Sequence, residues 1–258
     1  DPLNLWHTPP FEPTVRGDDL FARGASDDKG QTFIHIKAVE ALLQNTGKLP
    51  VNVKFLVEGE EESGSVAINK YVSAHGDQLA TDAVLISDTH ILSPEQPAIL
   101  YGLRGMWRAE ITVTGSSHDL HSGSYGGAIH NANQALAEIL AGLHDAQGRV
   151  TVPGFYDDVR KATKAEIASF VNSGFTSNGF KRAHEIKSLR PNLKNDGDVL
   201  QAIMSQPTFE LHGIVGGYSG PGVKTIVPHR AEAKISMRLV PNQKPATILK
   251  LVKDFIKQ

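Results

Sequence analysis

Carboxylates are the side chains of this sequence whose types and spacing most clearly suggest chemistry. They fall in a glycine-flanked loop or directly after an apolar segment: Asp27–Asp28 in the loop, Glu58 and Glu60–Glu62 after Val51–Val57, and Asp88 after Ala83–Ser87. Carboxylates held close together cannot all stay ionised at neutral pH unless a cation or a shared proton compensates. Because hard oxygen ligands suit Zn, Mn, Mg or Ca ions, the pattern predicts a metal site in which Glu61 and Glu62 divide the roles of general base and ligand.

Two alternatives to this interpretation stay open on spacing alone. Glu60–Glu62 precede a helix predicted to begin near Ser65, and the helix dipole stabilises negative charge in a solvated first turn. His90 follows Asp88 closely enough for both to share one metal ion, although a single His after a strand is more often a hydrogen-bonded loop residue.

Two further motifs are weaker candidates for a functional site than the carboxylates. Ser117–Gly123 contains Ser, His and Asp, but these are neighbours in a glycine-rich loop, whereas catalytic triads are assembled from distant segments. Gly220–Thr225 resembles a phosphate-binding loop, yet it places Val223 between Gly and Lys and joins two predicted strands instead of opening a helix. We therefore predict no serine hydrolase, and we interpret the second motif as a hairpin connection.

The composition narrows the classes of function. The chain has 258 residues, of which 40% are hydrophobic and 21% charged, as in ordinary globular proteins. Lys and Arg number 26 against 28 Asp and Glu, without a basic block, so we expect no nucleic-acid partner. With no cysteine, any metal must be held by carboxylates and some of the 11 His.

The ends and the hydropathy of the chain bear on its location. No apolar run is long enough to cross a bilayer, so we expect no membrane partner. The first residue is Asp1 and no signal segment follows it, so we interpret the start as a cut. Our working expectation for the location is the cytoplasm.

Hydrophobic periodicity predicts the elements that must position these residues. Helices are predicted over Gly30–Gly47, Ser65–His75, Ala128–His144 and Pro245–Ile256, and strands over Val51–Val57, Ala83–Ser87, Trp107–Thr114, Phe209–Val215 and Thr225–Val240, with a mostly helical stretch over Thr151–Pro207. Alternating strands and helices in the first part predict a mixed α/β sheet. The second part has the order of a split βαββαβ unit without its last strand. Ligands bind at the carboxyl ends of strands in α/β sheets, so we expect the acidic clusters to lie side by side.

Six segments in order along the chain resemble one enzyme family. They are Leu20–Gly30, Glu58–Ser65, Ile86–Asp88, Tyr101–Gly105, Asp119–Gly123 and Ile235–Pro241. Together they resemble the zinc-dependent dinuclear metallopeptidases of the carnosinase, carboxypeptidase G and aminoacylase type, and most of all the carnosinase-like nonspecific dipeptidases. The resemblance implies an α/β chain: a partial, phosphorylase/hydrolase-like metal-binding catalytic domain over residues 1–105, and an inserted ferredoxin-like α+β lid and dimerisation domain over 106–258.

The resemblance also implies a role for each site residue. Asp27 bridges two divalent metal ions, Zn with Mn or Co as alternatives, while Glu62 and Asp88 each ligate one of them. Glu61 is the general base that activates the water bridging the metals. From the lid of a homodimer, His121 stabilises the oxyanion in the partner's site, Arg238 clamps the substrate carboxylate, and Thr225 adds a hydrogen bond.

The implied activity is hydrolysis of dipeptides or removal of a C-terminal residue. A related N-acyl amino acid deacylase and a noncatalytic dimerisation or binding module stay open as alternatives. The family also carries a His-x-Asp motif upstream and a His ligand far downstream, and neither has a counterpart in this sequence. Each metal would then lack one imidazole, so we expect the chain alone to be a weak or inactive catalyst.

Overall fold

The computed structural model describes residues 2–89, 91 and 98–257. His90, the alternative metal ligand, lies outside the described residues. The chain divides into two compact units, Asp1–Ile91 and Leu92–Gln258. Among the described residues, no helix has both the length and the apolar character needed to cross a bilayer.

The first unit is built around one long helix. Strands β1 (Thr14–Arg16) and β2 (Asp19–Phe21) form an antiparallel pair, followed by helices α1 (Gly30–Thr46), α2 (Val66–Ala74) and α3 (Gly76–Leu79). Helix α1 ends at Gly47, whose φ of 71° lies in the left-handed region that glycine adopts without strain. The two helices predicted in this unit are confirmed to within one residue at each end.

The two strands predicted in the first unit are wrong. Val51–Val57 and Ala83–Ser87 carry no strand assignment, and the strand pairing among the described residues of this unit is that of β1 with β2. Phe55 and Ile86 are 51% and 79% exposed. A β-branched, apolar pattern favours an extended backbone, but a strand also requires hydrogen bonds to a neighbouring strand, and these two segments do not pair with each other.

The second unit contains a three-stranded antiparallel sheet and a short ribbon. Its elements are β3 (Gly105–Thr114), β4 (Leu120–His121), α4 (Ser122–Tyr125), α5 (Ala132–Gly142), α6 (Lys164–Val171), α7 (Ser177–Ala183), α8 (Asp196–Met204), β5 (Thr208–Gly216), β6 (Ile226–Val227), β7 (Arg230–Leu239) and α9 (Pro245–Ile256). The sheet order is β3-β7-β5, and β4 pairs with β6 in a separate ribbon. This order, with helices after the first and third sheet strands, is that of a ferredoxin-like βαββα arrangement, which agrees with the predicted α/β class.

The bounds of two predicted elements of this unit differ from the structure by more than two residues. The helix predicted over Ala128–His144 begins only at Ala132, because the side chain of Asn131 accepts hydrogen bonds from the N–H groups of Asn133 and Gln134 and caps the helix. The strand predicted over Thr225–Val240 is interrupted at Pro228, which has no N–H to donate. The helical character of Thr151–Pro207 is confirmed by α6, α7 and α8.

The three-stranded sheet has one buried and one open face. Alternate residues of β7 pack into the core with side chains from α5 and α9: Ala231, Ala233, Ile235, Met237, Leu239, Leu136, Ile248 and Val252. Of the intervening residues, Arg230, Lys234 and Arg238 are exposed, and Glu232 and Ser236 are half-buried. Because strand side chains alternate between faces, the sheet presents Arg238 on its open face.

Candidate active site

The first turns of α1 hold two of the predicted carboxylate segments together. The side-chain amide of Gln31 donates hydrogen bonds to the carbonyl oxygens of Ser26, at 2.8 Å, and Thr89, at 3.0 Å. One turn later, Nε2 of His35 lies 2.6 Å from the hydroxyl of Ser87. The loop that carries Asp27 and the segment that carries Asp88 are therefore tied to the same end of the helix.

The glutamates after residue 57 divide into two pairs with different partners. Glu58 accepts a hydrogen bond from the hydroxyl of Ser65 at 3.0 Å, and Glu60 accepts one from the N–H of Ala67 at 2.9 Å, so both stabilise the start of α2. Glu61 and Glu62 lie in a separate single 3-10 turn. The acidic-turn interpretation, made for Glu60–Glu62, thus describes Glu60, and Glu58 has the same role although it was not part of that interpretation.

Glu62 contacts the loop that carries Asp27. Its Oε1 accepts a hydrogen bond from Nη2 of Arg23 at 3.0 Å. Both side chains are substantially exposed, so the ion pair contributes little to stability. Its consequence is positional, because it places Glu62 next to the Asp27 loop.

The electrostatic surroundings of Glu61 are those of a carboxylate cluster. Although the side chain is exposed, nearby atoms remove part of its hydration, and this is the largest cause of its raised pKa. Repulsion from Glu62, Asp88, Asp27 and Glu58, in that order, raises the pKa further. Like charges disfavour the ionisation of neighbouring carboxyl groups. A bound cation would therefore offset the negative charge around Glu61.

These carboxylates fit a divalent metal by donor chemistry and by charge. Hard oxygen ligands and a local excess of negative charge are what Zn, Mn or Mg ions require. Within residues 2–89, 91 and 98–257, however, no three His, Asp or Glu side chains are close enough together to hold one ion. The structure therefore brings the predicted ligands into one neighbourhood without forming a coordination shell.

The second unit brings two of its predicted site residues into contact. Nε2 of His121 lies 3.4 Å from the hydroxyl of Thr225, across the β4–β6 ribbon. Nδ1 of the same imidazole accepts a hydrogen bond from the N–H of Gly123 at 3.0 Å. In the neutral ring the proton must then be on Nε2, so His121 presents an N–H donor on the side of Thr225.

Arg238 is not part of the β4–β6 ribbon, and it lies on the open sheet face near the C-terminal end of the central strand β7. It lies opposite Met106 of β3 and Thr208 of β5. Sequence reasoning missed its neighbour Arg104, which is half-buried and donates a hydrogen bond from Nη1 to the carbonyl of Gln206 at 3.2 Å. Burial first, and then the charge of Arg238, lowers the pKa of Arg104. Two nearby guanidinium groups make this face attractive to a carboxylate.

Sequence reasoning also missed a contact beside His121. Oδ1 of Asp119 accepts hydrogen bonds from both Nδ1 and the backbone N–H of His229, at 2.6 and 3.1 Å. The side-chain bond first, and then the backbone bond, lowers the pKa of Asp119. Asp119 is within the segment that carried the resemblance, but its partner is 110 positions away in sequence, and only the folded ribbon joins them.

Most of the second unit matches a known protein family. Residues 101–258 match the family model described as the peptidase dimerisation domain of M20 peptidases. The chain belongs to this M20 peptidase dimerisation family. The family resemblance inferred from the six segments is confirmed.

Curated relatives match nearly the whole chain. The Cys-Gly metallodipeptidase dug1 of Schizosaccharomyces pombe is 37% identical over 255 residues, which are 97% of this chain and 53% of that protein. The human Beta-Ala-His dipeptidase is 34% identical over 96% of this chain and 49% of its own length. The chain thus spans about half the length of the curated relatives it matches.

Solved structures of M20 enzymes have the same fold. An M20 family metallo-carboxypeptidase from Sulfolobus solfataricus matches with a TM-score of 0.85 and 38% identity, covering 100% of this chain and 58% of that one. Human carnosine dipeptidase 1 matches with a TM-score of 0.81 and 33% identity, covering 98% and 54%. This M20 chain is therefore similar to metallopeptidases in both sequence and fold.

Proposed function

We propose that this M20 chain serves a metal-dependent hydrolase that cleaves the peptide bond of dipeptides or removes a C-terminal residue. The relatives that support this are named as metallodipeptidases and as a metallo-carboxypeptidase. The observation that carries the proposal is the geometry of His121, whose Nε2–H donor is fixed beside Thr225 by the bond from Gly123. A preorganised N–H donor is what the developing oxyanion of peptide hydrolysis requires.

In this proposal Asp27, Glu62 and Asp88 would hold the divalent metal ions. Zn is the metal that we expect, with Mn or Co as alternatives. When bound, such ions polarise the scissile carbonyl and acidify water. Glu61 lies beside these ligands without belonging to them, so its carboxylate would accept the proton of the attacking water and pass it to the leaving amine.

The lid residues would bind and orient the substrate. Arg238 would pair with the substrate carboxylate through its guanidinium fork, and the neighbouring charge of Arg104 would strengthen that attraction. Thr225 would add a hydrogen bond. His121 of one copy would serve the site of its partner in a homodimer.

A homodimer formed through residues 106–258 is part of the same proposal. Strand β5 is an edge strand that pairs with β7 on one side, and among the described residues no strand pairs with its other side. Ile214 and Val215 on this strand are 59% and 68% exposed. An unpaired, apolar strand edge favours pairing with another chain, and a second copy of this chain offers a matching edge.

Glu61→Gln tests the proposal because the substitution removes the base while keeping the shape of the side chain. We expect the wild-type chain with added Zn to hydrolyse a dipeptide weakly, because each metal lacks one imidazole, and chromatography of the released amino acid measures this. The Gln variant should lose that activity by about 10²-fold or more while binding the same amount of Zn. Equal activity of the two proteins would contradict the proposal.

A second candidate function is a noncatalytic dimerisation module, in which the acidic segments bind no metal. It is favoured by the lack of a converging group of three His, Asp or Glu side chains within the described parts of the chain. This candidate predicts no Zn-dependent hydrolysis by either protein and a dimer that forms without metal. Domain limits at residues 1–105 and 106–258 and a cytoplasmic location belong to both proposals.

A further inference from the structure

We infer that Asp119 and His229 are positioning residues that fix the orientation of the His121 imidazole. The inference rests on the proposed role of His121 as a hydrogen-bond donor to the substrate, and it adds two residues that are not among the proposed metal ligands or substrate-binding residues.

The first argument is the small size of the ribbon that carries His121. Strands β4 and β6 have two residues each and are joined by the pairs Leu120–Val227 and His121–Ile226. Isolated two-stranded ribbons are at best marginally stable, and this one is very short. Its geometry therefore depends on contacts beyond its own two residue pairs, and these include the contacts at its two ends.

The site end of the ribbon is closed by contacts with Thr225. The N–H of Ser122 donates to the carbonyl of Thr225 at 2.8 Å, and the Thr225 hydroxyl lies 3.4 Å from Nε2 of His121. The latter distance is at the long limit for a hydrogen bond, so a small displacement of either strand would break it.

The opposite end is closed by Asp119 and His229. A single carboxylate oxygen of Asp119 accepts both the ring and the backbone N–H of His229. The carbonyl of His229 in turn accepts the N–H of Gly115 at 2.7 Å, directly after β3. Asp119 thus links the ribbon to the end of the three-stranded sheet, whose central strand packs into the hydrophobic core of this unit.

The solvent exposure of Asp119 and His229 indicates that their contact fixes the position of the ribbon and adds little stability. The side chains of Asp119 and His229 are 44% and 45% exposed, and exposed ion pairs contribute little to stability. The backbone N–H in the contact nevertheless gives Asp119 a fixed direction that a simple surface ion pair would lack. Loss of the carboxylate should therefore change the ribbon more than it changes the stability of the fold.

The test is the tautomer of His121, observed by NMR of the full chain with ¹⁵N-labelled histidine. His121→Gln assigns the signals. In the wild-type protein the bond from Gly123 should give the Nε2–H tautomer. In Asp119→Ala we expect a mixture of both tautomers, because β4 loses its link to the sheet and the His121 ring can turn away from Gly123 and Thr225. Asp119→Asn should keep the wild-type signals, because an amide oxygen can accept the same two bonds. Asp254→Asn is the matched control, since Asp254 forms an exposed pair with Lys250 at the same distance of 2.6 Å.

Unchanged His121 signals in Asp119→Ala would overturn the inference. If that variant does not fold, as judged by circular dichroism, His229→Gln decides in its place, because it removes the ring bond and keeps the backbone N–H. The tautomer is measured without substrate, so a failure of the proposed hydrolase activity would not alter this result. If the chain is active, Asp119→Ala should lower kcat by about 10- to 100-fold with little change in KM.

Discussion

At the scale of single residues, hydrogen-bond partners distinguish carboxylates with similar sequence positions. Glu58 and Glu60 are engaged at the start of α2, whereas Glu62 faces the loop of Asp27. Spacing alone could not separate these roles, because all of the glutamates follow the same apolar segment. The partners depend on where α2 and the Asp27 loop lie in space.

His144 gives a prediction about stability at this scale. Its Nε2 is buried, and within the described residues it has no hydrogen-bond partner. Burial first, and then the charge of Arg190, lowers the pKa of His144. Below about pH 6.5 the unfolded chain binds a proton that the folded chain does not, so the free energy of unfolding should fall as the pH decreases.

His144→Phe should reduce this pH dependence, because a phenyl ring can keep the edge-to-face contact with Phe209 and does not titrate. Urea unfolding at pH 5.5 and 7.5 measures the effect, with the exposed His118→Gln as the control. The prediction would be wrong if His144→Phe and the wild-type protein lost the same free energy of unfolding between the two pH values.

The sequence predicted single residues unevenly. His121, Thr225 and Arg238 were selected through the resemblance, and the structure brings the first two together although they are 104 positions apart. Arg104 and His229 were not selected, because their significance comes from strand register and from a ribbon contact. Neither leaves a periodic or spacing pattern in the sequence.

At the scale of elements, helices were predicted well and strands of the first unit were not. Helix α9 has the predicted bounds because its apolar period and its N-terminal Pro245 are local signals. The extended segments Val51–Val57 and Ala83–Ser87 carry an equally clear local pattern. Strand formation depends on a partner elsewhere in the chain, and a local pattern contains no information about that partner.

The N-terminal cap of α5 can be tested directly. Asn131→Ala should lower the free energy of unfolding by about 0.5–2 kcal/mol, because two N–H groups lose their acceptor. Asn131→Asp should retain most of the stability, since its carboxylate accepts the same bonds. Denaturant titration measures both variants, and equal stability of Asn131→Ala and the wild-type protein would show that the cap contributes nothing.

Gln31 gives a prediction about metal affinity. Gln31→Ala removes the amide that ties the Asp27 loop to the Asp88 segment, so Zn affinity should fall by about 10- to 100-fold. Calorimetric Zn titration measures the change. Gln44→Ala, at an exposed position of the same helix, should leave the affinity unchanged. A similar Zn affinity in all three proteins would show that Gln31 does not position the metal ligands.

At the scale of the whole molecule, the two units contribute different parts of the proposed enzyme. In the proposal, the first would supply the carboxylates and the second would supply His121, Thr225 and Arg238. Residues 101–258, most of the second unit, match the peptidase dimerisation domain of M20 peptidases. The proposed homodimer is therefore the property of the whole molecule that most needs a test.

Ile214→Lys on the edge strand β5 should weaken the homodimer, because a charge would replace an apolar side chain that is 59% exposed. Analytical ultracentrifugation over a range of concentrations measures the equilibrium. Val15→Lys, an equally drastic change at a 71% exposed position of the first unit, is the control. A dimer of unchanged strength in Ile214→Lys would place the interface elsewhere.

The most direct test of the central claim is Zn binding to the carboxylate cluster, measured by isothermal titration calorimetry. Wild-type protein is compared with the triple variant Asp27→Asn, Glu62→Gln and Asp88→Asn, and with the control Glu60→Gln, whose amide oxygen can still cap α2. We predict that the wild-type and control proteins bind up to two Zn ions and that the triple variant binds none at this site. Equal Zn binding by all three proteins, or none by the wild-type protein, would contradict the claim that these carboxylates form a metal site.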